Sequence, residues 1–103
     1  MHTQLVLQFH GSSLDDLDAI VELESTLIEQ LAGGARVDGH DIGSDEANVF
    51  ILTSDPIGTF GAIRPVLDRL NLLTAATVAY RPVNGHGYTV VWPAKFDKVF
   101  RVA

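Results

Sequence analysis

Residues 47–56 read Ala-Asn-Val-Phe-Ile-Leu-Thr-Ser-Asp-Pro, and this stretch decides the fold. In an extended chain Val49 and Ile51 fall on one side and Phe50 and Leu52 on the other. A strand that is apolar on both faces belongs inside a sheet or beneath a covering partner. Asp55-Pro56 then starts a helix: an Asp carboxylate accepts a free N–H of the first turn, and the fixed φ of proline suits the first helical position. Ile57, Phe60, Ile63, Val66, Leu67 and Leu70 continue at helical spacing. Pro65 removes one hydrogen bond and presses on the Gly61 carbonyl, which predicts a kink within one helix.

Working outward, residues 35–42 form a strand joined to residues 47–54 through Gly43-Ser44-Asp45-Glu46, a turn-rich hairpin connection. Residues 3–10 alternate, with Leu5, Leu7 and Phe9 on one side and Gln4, Val6, Gln8 and His10 on the other. Ser13 and Asp16 make a capping-box pattern ahead of an apolar helical stripe of Leu14, Leu17, Ile20, Val21, Leu27, Ile28 and Leu31, which Gly33-Gly34 stops. Downstream, residues 76–81 and 88–92 are strands around Asn84-Gly85-His86-Gly87. The order is βαββαβ plus an additional C-terminal strand. Right-handed crossovers and short hairpins make this an α+β, ferredoxin-like two-layer sandwich, an antiparallel sheet with two helices on one face. Residues 1–103 read as a single domain.

Composition bounds the function. The 103 residues are 47% hydrophobic and contain no cysteine, which excludes disulfide frameworks, zinc ribbons and thiolate nucleophiles. A leader with a basic n-region and any apolar run of membrane-spanning length are missing from the pattern, so a cytoplasmic, membrane-free protein is expected. The net charge of −6 disfavours nucleic acid, whose phosphates require clustered Lys and Arg. That charge divides unevenly: residues 1–51 carry ten acids and only Arg36 as a base, while residues 52–103 are net positive. Lys95, Lys98 and Arg101 form the one basic cluster, and their plainest reading is a solubilising tail.

The expected topology brings the end of the first strand and the first hairpin to one edge of the sheet. That edge gathers His10, Ser12, Ser13, Asp15 and Asp16 with His40, Asp41, Asp45 and Glu46. Such groups can hold a divalent cation or pair a histidine base with an orienting carboxylate. The rival reading is structural, since hairpins select Asp and Gly and a helix dipole favours first-turn aspartates. The spacing matches neither HExxH nor an EF-hand loop, so no metal, cofactor or catalytic residue is assigned. No serine lies in a G-x-S-x-G elbow. Gly58-Thr59-Phe60-Gly61 lacks the Lys-Ser/Thr ending of a P-loop. The helix-free face of the sheet, with Val6, Phe50 and Leu52, suits an oligomer interface unless the tail, with Phe96 and Phe100, folds back over it.

Val37-Asp38-Gly39-His40-Asp41-Ile42-Gly43, then Asn48-Val49-Phe50-Ile51 and Asp55-Pro56, with Tyr88-Thr89-Val90-Val91-Trp92-Pro93 late in the chain, resembles a group of small uncharacterised bacterial proteins. The resemblance implies a ferredoxin-like fold and supplies no activity. In size and charge the chain is also similar to small immunity proteins of toxin systems. The function expected from the sequence is a non-catalytic protein-binding or self-associating module, with a homodimer formed through its sheet. One alternative is an inhibitor that binds a basic partner; the other is a metal- or small-ligand-binding enzyme using His10 and His40.

Overall fold

The computed structural model describes residues 2–10, 17–43, 45–96 and 98–102. Its elements are β1 (Thr3–His10), α1 (Leu17–Leu31), β2 (Arg36–Ile42), β3 (Glu46–Thr53), α2 (Pro56–Arg69), a 3-10 turn (Leu73–Ala75), β4 (Ala76–Pro82) and β5 (Thr89–Trp92). The strands form one sheet in the order β2-β3-β1-β4-β5, with every neighbouring pair antiparallel. This is the ferredoxin-like arrangement expected from the sequence, with β5 added beyond β4. The Ser13–Asp16 capping pattern lies outside the described residues.

The alternation of β1 sorts the two layers. Leu5, Leu7 and Phe9 join Val49, Ile51, Ile63, Leu67, Ile20 and Leu27 in the main core between sheet and helices. Each such aliphatic or aromatic side chain removed from water contributes roughly 1.5–3 kcal/mol. Only part of the apolar stripe of α1 joins them. Ile20, Leu23 and Leu27 are buried, whereas Leu17, Val21 and Ile28 stay exposed. The stripe is wider than the sector that the sheet can cover.

Helix α2 starts as its sequence dictates. Asp55 is the N-cap, its Oδ1 accepts from the Gly58 N–H at 3.0 Å, and Pro56 opens the first turn. The helix runs unbroken through Pro65. Among the buried groups, Thr53 and Thr59 share a hydroxyl–hydroxyl hydrogen bond of 2.7 Å that joins the end of β3 to this first turn.

The other face of the sheet is not open. A second cluster of Val6, Ala79 and Phe100, with Phe50, Tyr88, Val90, Phe96 and Val102 packed against it, shows the C-terminal tail folded back over that face. The Tyr88 and Phe100 rings lie 4.8 Å apart, and the Gln8 Nε2 donates to the Arg101 carbonyl at 2.7 Å. Val49 and Ile51 of β3 are thus buried on the helix side and Phe50 is partly covered by the tail, while Leu52 stays half-buried outside both clusters. Tyr80 and Trp92 lie with the main core, and Tyr88 is the late aromatic that sits under the tail.

Candidate functional site

The sheet end expected to carry the site divides between the two faces of the sheet. His10 pairs with Glu46 in the β1–β3 ladder, and both follow the alternation onto the face covered by the tail. His40 pairs with Val49, a main-core residue, and therefore stands on the helix side. The register shift between Val37 and Gly39 is responsible. A bulge inserts one residue and reverses the parity of the residues beyond it, and Gly39 supplies the φ of +137° that a side chain would resist. The structure therefore does not bring His10 and His40 together. Among the described residues no three His, Asp or Glu groups converge on a metal position.

On the helix side His40 finds a carboxylate. Its Nδ1 lies 2.9 Å from Glu24 Oε1 on α1, with both side chains mostly covered. A carboxylate can only accept here, so Nδ1–H donates and the ring orientation is fixed. The orienting acid is Glu24, not Asp41 or Asp45 of the hairpin. Asp41 and Asp45 are exposed at the β2–β3 turn, and Ser12 lies outside the described residues.

On the tail side Glu46 belongs to a polar network. Its Oε2 accepts from Asn48 Nδ2 at 2.8 Å and from Gln8 Nε2 at 3.3 Å, and that same Gln8 nitrogen donates to Asn48 Oδ1 at 3.0 Å. Gln8 and Asn48 are buried, and hydrogen bonds offset the cost of removing such groups from water. Next to this network lies a cavity of about 310 Å3 lined by Gln8, His10, Glu46, Thr77, Phe96, Lys98, Val99 and Arg101. A second space of about 360 Å3 continues from it past Lys95 and Pro93. The basic tail thus returns to the His10 end of β1, a meeting that the sequence spacing did not reveal.

The second surface with functional character is the outer side of α1. Leu17, Val21 and Ile28 are 55%, 47% and 57% exposed. At 3.6 residues per turn they fall within about 40° of one another around the helix. Asp18, Glu22 and Glu29 flank the line, and α1 contains no base. The line borders β2, where Asp38, Asp41 and the exposed Ile42 sit at the sheet edge. Arg36 is the sole base between residues 17 and 46 and is paired with Asp38 at 2.8 Å.

At the opposite end of the sheet, Gly34 of the α1 stop and the Asp55 cap line a common shallow cavity. The Gly58 N–H there is already held by Asp55, so the glycine-bearing first turn of α2 serves its own cap. No helix is long and apolar enough to cross a membrane among the described residues. Comparison with known proteins gives no match to the chain from family models, curated proteins or solved structures.

Proposed function

We propose that this chain is a protein-binding module that docks a basic partner through the outer side of α1 and the adjoining β2 edge. The observation that carries the reading is the line of Leu17, Val21 and Ile28, exposed on a helix that bears acids and no base. Apolar anchors in a ring of like charge suit a partner that presents apolar contacts among Lys and Arg. Complementary charge accelerates encounter and excludes wrong partners, while the buried apolar centre supplies most of the affinity. Association through the helix-free sheet face is the weaker reading, because Phe96, Phe100 and Val102 pack over part of that face.

The test immobilises the full chain at low salt and compares it with two variants. Val21→Gln with Ile28→Gln removes the anchors, and Glu22→Lys with Glu29→Lys reverses the rim. All four positions are on the surface of α1, and circular dichroism checks that each variant stays folded. The expected result is a partner with a basic surface whose retention falls about tenfold or more in both variants and weakens as salt is raised. Retention that is the same for wild type and variants overturns the proposal.

A further inference from the structure

We infer that the trough between β1, β4 and the returning tail is a binding site for a small organic anion, a phosphomonoester or carboxylate on an apolar body. The inference is independent of the α1 surface. Four residues, His10, Thr77, Phe96 and Lys98, line both of the contiguous spaces of about 310 and 360 Å3. That volume is at the small end of the range for ligand pockets, roughly 300–1,000 Å3.

Charge selects the ligand. Lys95, Lys98 and Arg101 all line the trough, in a chain whose net charge is −6. Among the described residues none of these three takes part in an ion pair. Glu46 is the one acid among the described lining residues, and its Oε2 already accepts hydrogen bonds from Asn48 and Gln8.

The floor supplies a second, separate observation. Thr77 is 5% exposed as a residue and lines both spaces; its hydroxyl makes no hydrogen bond with any described residue and, since no buried side-chain polar atom among the described residues lacks a partner, it is open to the trough. A hydroxyl open to the trough can donate one hydrogen bond to a ligand oxygen. Anion oxygens reaching Thr77, Lys98 and Arg101 would meet one hydroxyl donor and two cations, and charge-assisted contacts of this kind are the stronger ones. Phe96 and Val99 provide an apolar wall for the remainder of the ligand.

The experiment titrates the full-length, isotopically labelled chain by NMR with phenyl phosphate, inorganic phosphate and phenol, each to about 20 mM, a range that detects millimolar binding. Phenyl phosphate is expected to saturate and to shift the amides of Thr77, Phe96 and Lys98. Its affinity should exceed those of inorganic phosphate and phenol by about tenfold. Lys98→Gln with Arg101→Gln should lower that affinity by about tenfold while leaving the remaining spectrum in place. The near-isosteric Thr77→Val should lower it several-fold. Absence of saturable shifts, shifts that map elsewhere, or an affinity unchanged in the double variant overturns the inference and leaves a water-filled trough. Because neither the residues nor the readout involve α1, failure here says nothing against the docking surface, and failure there says nothing against this site.

Discussion

At the scale of single residues, two glycines are set by their immediate neighbours. Gly39, with φ of +137°, forms the bulge that turns His40 toward Glu24. Gly58 is fixed by contact: a Cβ on it would run into the Asp55 carboxylate that caps α2. Gly58→Ala therefore has two effects of opposite sign. Alanine favours the helical backbone by up to about 1 kcal/mol over glycine, but the carboxylate must swing away and surrender its hydrogen bond. Losing an N-cap costs about 1 kcal/mol. The expected outcome of urea unfolding is that Gly58→Ala gives no gain in stability, and that Asp55→Ala loses about 1 kcal/mol. In the Asp55→Ala background the collision is gone, so there Gly58→Ala should stabilise. A gain from Gly58→Ala in the wild type would show that the cap contact is dispensable.

At the scale of elements, legibility followed periodicity. The bounds of β1, β3 and β4 agree with the sequence reading to about a residue, because alternation in Leu5, Leu7 and Phe9 or in Val49 and Ile51 is a local signal. The candidate site was less legible. His10 and Glu46 were correctly brought to one sheet end, but the side on which His40 stands depends on one extra residue in β2, which no hydrophobic period encodes. Glu24 lay unnoticed because an acid in a helix ordinarily reads as solvated surface. The short β5 also owes its position to contacts distant in sequence. Its Trp92 donates from Nε1 to the Leu73 carbonyl at 3.0 Å, lies 6.3 Å from the Phe60 ring, and carries the Arg64 guanidinium 4.5 Å from its ring centre. Trp92→Phe keeps an aromatic ring but abandons the Leu73 carbonyl and weakens the cation–π contact. Loss of about 1–2 kcal/mol is expected. It should appear as faster amide exchange in β5 while β1, flanked by β3 and β4, keeps its protection. Equal acceleration across the sheet would mean that β5 is no separate local unit.

At the scale of the whole molecule, the tail decides what the sheet can do. Phe96 and Phe100 are plain in the sequence, but no local signal says where they go, since the tail has no period of its own and its contacts are with Val6 and Ala79, far back in the chain. Once it is in place, Phe100 is buried against Tyr88, and Gln8 holds the Arg101 carbonyl. The same fold-back that closes the apolar face also carries Lys98 and Arg101 to His10. Covering the sheet and building the trough are therefore one structural event. Phe100→Ala separates the chain from both. Truncating a buried phenylalanine costs about 3–5 kcal/mol, and the lower figure suits a small cluster near the surface. A domain of this size then melts about 10–20 °C lower. With its cover loosened, the face bearing Val6, Phe50 and Ala79 should drive association. Light scattering at about 50 μM, a concentration at which micromolar association is populated, is expected to find a monomer for the wild type and larger species for the variant. Phe100→Leu, which keeps most of the volume, should remain close to wild type in both measurements. If Phe100→Ala melts and scatters like the wild type, the tail does not hold the sheet face, and the trough formed by that tail loses its wall as well.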